Sequence, residues 1–542
     1  MHPAPAVHRV FGITELLGEV VRHVAQDSLH DTASLCVTNR LFHNVAQNEL
    51  WRSLGSLHPL LGCFSEECLE YDSCDSSDNP HPRRAPLPAE WERFLDAASR
   101  VRSLKHHVSE DDISNEVFDV IAIYRPRLLL LPNIEHLEWL DDENQTTDIS
   151  MHALLFLGPR LRSLELTKIQ FASHWGVTAF TNITALLKTI HHMGCRLDSL
   201  KVSLDQVASE EVSIATAALV LANNLKEFLG QYIRLPNDAI VHLAGLPSLI
   251  TAGISLQTGA TFERLDGPLF PAVEYMHVSL DDLAEWPCRR LITNIASPRL
   301  GTLGVTFRRE PNQNALHSLV DELAKSQHAA QLHTLHLVQD SARYKTLEDQ
   351  VPDRPDLVIN CVTLLPMLSI RNLVDIEISS PYVDLDDYTL ITIIESFPLL
   401  RRLYFNPGYY SGRAPKTTLK SVVTAASRLP RLQELGFPVD VSTESVHTVN
   451  QFSIVNWTCT RLHVADSPLS HDQIHSIAQF LYSWFRHVEL CITTLRPDVP
   501  GDLAHADQRA IYAANWEQCN RIMHPWKWWT DEVTAHLATE TY

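Results

Sequence analysis

Apolar residues recur along this chain with two different periods, and the change from one to the other divides it. Near the start the apolar positions are Ile13, Leu16, Leu17, Val20, Val21 and Val24. Steps of three and four put such a stripe on a single helix face. Thr14 suits the N-cap of that helix and Glu15 its first turn. A break at Ser28 to Asp31 follows, and Leu35, Phe42, Val45, Ala46 and Leu50 then mark a second helical hairpin that closes on Trp51. A unit of about 45 residues keeps too much of its surface exposed to bury so many apolar groups alone. The segment 8–58 is therefore expected to pack against a partner.

From about residue 101 the period shortens. An apolar residue, two others, an apolar residue, one other and an apolar residue recur as IEHLEW at 134, LRSLEL at 161, LDSLKV at 197, VEYMHV at 273 and LGTLGV at 300. The series continues as LHTLHL at 332, LVDIEI at 373, LRRLYF at 400, LQELGF at 432 and FRHVEL at 485, with weaker copies at 101, 225, 249 and 459. Fourteen copies stand at intervals of 24 to 41 residues. Alternation through the last three positions is the period of a strand with one buried face. Helical spacing lies between the copies, as in Val177, Phe180, Ile183, Leu186, Leu187 and Ile190, or Leu316, Leu319, Val320, Leu323 and Ala324. Strand, helix and strand at a near-constant period predict an α/β solenoid with parallel strands over 95–492. An open α/β sheet of more conventional topology is the alternative.

In a solenoid the residues between the buried positions face the other way. That places Glu138, Glu165, Lys201, His277, His336, Glu377, Tyr404, His463 and Glu489 on one concave face, with Arg402 and Arg461 beside them. Fourteen strands at about 4.8 Å would span on the order of 65 Å. A surface of that length suits a protein ligand better than a metabolite.

The N-terminal residues Ile13, Glu15, Leu16, Leu17 and Val20, the run Leu35, Cys36, Val37, Asn39, Arg40, Phe42 and the tail Leu50, Trp51, Arg52, Leu54 resemble the F-box. That three-helix module docks on the adaptor of Skp–cullin–F-box ubiquitin ligases. Family members usually carry Pro, suited to a helix start, where Thr14 stands here. The repeats resemble a divergent leucine-rich-repeat domain without the Asn or Cys usual just after each strand. Together the two halves resemble a class of F-box proteins abundant in mushroom-forming fungi. The resemblance implies a non-catalytic substrate receptor: Ile13, Leu16, Leu17, Val20, Leu35, Val37, Phe42 and Trp51 would contact the Skp-type adaptor, with the cullin behind it. The concave face would hold a target protein through Glu138, Glu165, Lys201, His277, His336, Glu377, Arg402 and Tyr404. A solenoid scaffold with no ligase association is the other reading of the same features.

Composition agrees with a folded, non-catalytic protein. Of 542 residues 45% are hydrophobic and 20% charged, and 44 basic against 65 acidic residues give a formal charge of −21. Nucleic-acid binding, which needs basic surface, is not expected. Ten cysteines without a CxxC pair read as reduced thiols in a cytoplasmic or nuclear protein. No signal pattern and no run of 18 apolar residues occurs, so neither export nor membrane insertion is expected. The sequons at Asn144, Asn182 and Asn456 then read as chance.

No GxSxG, GxGxxG, GxxxxGK[ST] or HExxH motif is present, and neither catalysis nor a cofactor is expected. Cys63, Cys68 and Cys74 lack a spaced fourth ligand for zinc. A His277 and His336 metal pair would need neighbouring repeats to bring the two together. Residues 65–90 are acidic and then Pro-rich, the composition of a mobile linker or long surface loop. The chain ends with Trp516, Trp526, Trp528 and Trp529, read as a helical cap over 493–542 that closes the last repeat.

Overall fold

The computed structural model describes residues 14–38, 40–71, 80–111, 113–141, 149–168, 177–204, 207–256, 268–283, 291–309, 312–340, 358–380, 383–405, 415–442, 456–464, 467–485, 487–491 and 506–524. The fold is α/β, with strands in parallel sheet, and divides into Met1–Leu249 and Ile250–Tyr542.

The first unit begins with three helices, Thr14–Asp27, Leu29–Thr38 and Arg40–Leu50. The anticipated break shrinks to Ser28, whose hydroxyl accepts from the Asp31 amide at 3.1 Å and so starts the second helix. Leu17, Val21 and Ala46 form the small core, with Leu35, Cys36, Phe42 and Val45 packed against it. Only Trp51 and Arg52 separate the third helix from β1 (Ser53–Leu54). That strand pairs in parallel with β4 (Ser103–His107), and β5 (His136–Asp141), β6 (Ser163–Lys168), β7 (Ser199–Leu204) and β8 (Glu227–Arg234) follow in order.

Residues 65–90 are not a free linker wherever they are described. β2 (Leu69–Tyr71) and β3 (Pro80–Pro82) form an antiparallel pair, and the Pro88–Ala98 helix packs Trp91 and Phe94 on Phe64. Glu90, 3% exposed, fixes the segment. It accepts two bonds from Arg84 at 2.9 Å, one from the Ser65 hydroxyl at 2.5 Å and one from the Leu87 amide at 2.6 Å. Composition registers the prolines and acids but not that one acid finds five donors, the Ser65 amide at 3.2 Å being the fifth. Cys74 lies outside the described residues.

In the second unit β9 (Thr251–Ser255), β10 (Tyr275–Leu280), β11 (Thr302–Phe307), β12 (Thr334–Gln339), β13 (Asp375–Ser379), β14 (Arg402–Phe405), β15 (Glu434–Gly436), β16 (Arg461–His463) and β17 (Glu489–Cys491) are parallel and in sequence order. Each of the fourteen motif copies yields a strand, β4 to β17. Their first apolar residues, from Val101, Ile134 and Leu161 to Leu432, Cys459 and Phe485, are buried. The last copy is offset by two residues: Leu490, not Val488, stands opposite Leu462. A two-residue slip preserves strand alternation, so periodicity cannot detect it.

What sets the register is main chain. The carbonyl just before one strand accepts two amides from the start of the next: Arg102 from Glu135 and His136, Glu135 from Arg162 and Ser163, Arg162 from Asp198 and Ser199. The same pair recurs at Ile250, Glu274, Gly301, His333, Val374, Arg401 and Gln433. At the C-terminal side the Ala506–Met523 helix covers β17: Asn520 Oδ1 accepts the Leu490 amide at 3.3 Å and Trp516 Nε1 donates to the Ser467 carbonyl at 2.8 Å. Trp516 is 2% exposed, as a cap requires, while Trp526, Trp528 and Trp529 lie outside the described residues.

Candidate functional site

The three-helix module divides its expected contact residues into two groups. Leu17 is 2% exposed and belongs to the core of the module, and Leu35 and Phe42, half-buried, pack against that core. Trp51 is half-buried. Leu16 is 43%, Val20 39% and Val37 86% exposed, and Leu29 and Leu41, which the periodic pattern did not single out, reach 60% and 64%. Ile13 lies outside the described residues. Glu49 ties the first and third helices together, with Arg22 Nε at 3.8 Å and Arg52 at 3.3 Å.

Strand register places the expected face residues in rows. In the first unit Lys105, Glu138, Glu165 and Lys201 stand opposite one another on β4 to β7. Lys105 meets Glu138 at 2.9 Å, and Lys201 lies between Glu165 at 3.5 Å and Glu227 at 3.4 Å. Burial opposes the Lys201 charge, but the two carboxylates outweigh it and raise its pKa.

In the second unit one row runs His277, Gly304, His336, Glu377, Tyr404, Gly436, His463 and Cys491. Its neighbour runs Asp375, Arg402, Glu434, Arg461 and Glu489. Glu489 thus belongs one row over from His463. Arg402 is the hub: Nε donates to Asp375 Oδ1 at 2.7 Å and Nη2 lies 2.6 Å from His336 Nε2, which itself stands 3.1 Å from Asp375 Oδ1, while Glu377 lies 3.7 Å away. Burial works against the Asp375 charge, yet hydrogen bonds with His336 and Arg402 hold its carboxyl below the ordinary value.

Tyr404 is a correction. It is 7% exposed, lies under the Arg402 guanidinium at 5.4 Å, meets the His463 ring edge-on at 4.7 Å and donates its hydroxyl to Glu434 at 2.6 Å. Because Gly436 has no side chain, Tyr404 and His463 close over it, and Tyr404 serves as floor instead of contact. His277 leans over Gly304 and bonds Thr306 at 3.2 Å, whereas His336 turns to Asp375 and Arg402. Burial, then the nearby His336, pulls the His277 imidazole down to about 4. The two rings do not converge, and among the described residues no group of three His, Cys, Asp or Glu is placed to hold a metal.

Sequence reasoning missed a set of asparagines that precede strands. Asn133 donates to the Ser99 carbonyl at 2.8 Å and Asn372 to Ala330 at 2.6 Å. Asn456 donates to Ala426 and Leu429 at 3.1 Å. These amides tie neighbouring repeats where a side chain after the strand was sought. Asn456 is 4% exposed, so its sequon is spent on structure. No helix among the described residues is long and apolar enough to cross a membrane.

No protein-family model matches this chain, and no curated protein does. Chains of solved structures do match. One, from the structure of the Toll–Spätzle complex of Drosophila, is 11% identical over 74% of this chain and 60% of that chain, less than two thirds of its length, with a TM-score of 0.21.

Proposed function

We propose that the chain is the substrate-recognition subunit of a Skp–cullin–F-box type ubiquitin ligase. The three helices dock on the adaptor and the polar face of the strands holds a target protein. The supporting observation is the pattern of exposure: a closed core of Leu17, Val21 and Ala46 surrounded by outward Leu16, Val20, Leu29, Val37 and Leu41. Apolar side chains left in water on so small a module are stabilised by a partner that covers them. In this reading the chain performs no chemistry and takes no cofactor. It raises the effective concentration of target lysines near the ubiquitin carrier that the cullin assembly brings. The three helices pass into β1 through two residues, which suits a receptor that must hold target and adaptor at a set separation.

Co-purification of the full chain with a Skp-type adaptor tests the reading. The variant Leu16→Asp with Val37→Asp is the comparison, because both residues are exposed and their replacement spares the core. The native chain is expected to retain the adaptor and the variant to lose it with its circular dichroism unchanged. A native chain that retains no adaptor is instead a non-catalytic scaffold whose helices cap the first repeat.

A further inference from the structure

On the strand face of the second unit the charges do not balance. From β13 to β17 the face presents Asp375, Glu377, Glu434 and Glu489 against Arg402 and Arg461. Both guanidiniums are already occupied: Arg402 by Asp375 and His336 at 2.7 and 2.6 Å, Arg461 by Glu434 at 3.2 Å. A guanidinium engaged in this way is poorly placed to receive an anion. A carboxylate accepts at about four sites, so each acid retains capacity after these contacts. Glu377 stands 3.7 Å from Arg402, beyond hydrogen-bond reach, and its side chain is 23% exposed, while that of Glu434 is 24% exposed. Ser379, two residues beyond Glu377 on the same side of β13, is 3% exposed and its hydroxyl has no partner among the described residues. Among the described residues this part of the face therefore carries both a surplus of negative charge and an unsatisfied polar group.

We propose that the face from β13 to β15 receives a lysine- or arginine-bearing segment of a partner protein, with its cationic group seated against Glu377 and Glu434. An acidic segment would meet like charge there and would have to displace the two guanidiniums from their carboxylates. Tyr404 and His463 fill the space over Gly436 between these strands, so the face there suits a segment laid across it better than an inserted side chain. The inference rests on taking this side of the repeats as the target-holding surface.

The test is fluorescence anisotropy of the full chain with a labelled Gly-Ser-Lys repeat peptide of about twelve residues, beside a Gly-Ser-Glu peptide of equal length. The comparison variants are Glu377→Gln with Glu434→Gln on the face and Glu92→Gln with Glu116→Gln on exposed helix positions of the first unit. Both pairs remove two charges from a chain of −21. The Lys peptide is expected to bind, the face variant to weaken it about tenfold while the control stays near wild type, and the Glu peptide not to bind. Equal weakening by both variants, or tighter binding of the Glu peptide, overturns the proposal. Near-UV circular dichroism confirms that the face variant is folded. If it is not, Glu377→Gln alone, which removes no hydrogen bond closer than the 3.7 Å contact, carries the comparison. No adaptor is present in this measurement, so loss of peptide binding and loss of adaptor binding are separate results.

Discussion

Glu90 sits in the protein interior because donors surround it, and its behaviour with pH follows from them. Hydrogen bonding to Arg84, ahead of the Ser65 and Leu87 contacts, holds the folded carboxyl well below its ordinary range. The folded value lies below the unfolded one, near 4.3, so the stabilisation is complete above that pH and is lost as the pH falls through the folded value. Glu90→Gln should cost about 3 kcal/mol at pH 7, since it strands the Arg84 guanidinium and weakens the Ser65 contact. Denaturant unfolding should show that gap narrowing toward pH 3. His277 has the same sense for a different reason, since burial disfavours its charged form. Its folded value is about 4, below the unfolded value of about 6.5, so the unfolded chain takes up the proton first and stability falls as the pH drops from 6.5 to 4. His277→Gln should abolish that slope, worth about 2 kcal/mol after screening at a partly exposed ring, in thermal melts across the window. Neither residue could be singled out from sequence for these roles. Glu90 lies in a stretch whose composition reads as linker, and His277 shares its row with two other histidines. Glu90 draws on Arg84 and Leu87 close by and on Ser65 25 residues away, and His277 on Thr306 29 residues away.

At the level of strands and helices the sequence was far more informative, because burial on one face imposes a period that residues must obey. Fourteen copies of the motif became fourteen strands, and the Gln313–Lys325 helix buries Leu316, Leu319, Val320 and Leu323 as spaced. Periodicity failed where two solutions share a period, as in the two-residue offset at β17, and where an element stays apolar but serves as core, as with Leu17. Glycine supplies a test of how tightly the strands are packed. A Cβ at Gly436 would lie 2.9 Å from both His463 and Tyr404, whereas one at Gly245, at the end of the Asn237–Gly245 helix, meets nothing within 4 Å. Gly436→Ala should cost about 1–3 kcal/mol by forcing the two rings apart. Gly245→Ala should be neutral or stabilising by up to about 1 kcal/mol. Urea midpoints of the two variants decide the matter, and equal values would mean the rings yield freely.

In the second unit as a whole, the strand order ends on β17. The second unit closes its last strand with the Ala506–Met523 helix, where Asn520 takes up the Leu490 amide and Trp516 fills the space above. Removing residues 506–542 should uncover the β17 edge and its unpaired amides, a template for strand addition. Light scattering after gel filtration should then show self-association absent from the full chain, and a monodisperse truncated form would mean that something else protects the edge. The paired amides at each strand start carry a different consequence, one for descent with modification. The acceptor is a backbone oxygen, and the residues that provide it include Arg102, Glu135, Asp198, Gly301, Val374 and Gln433. Selection to keep the bond therefore places no demand on which amino acid stands there. A whole repeat could be duplicated or deleted and its neighbours would still present matching donors and acceptors, so lineages carrying this fold are free to change both length and lettering while the joints between repeats persist.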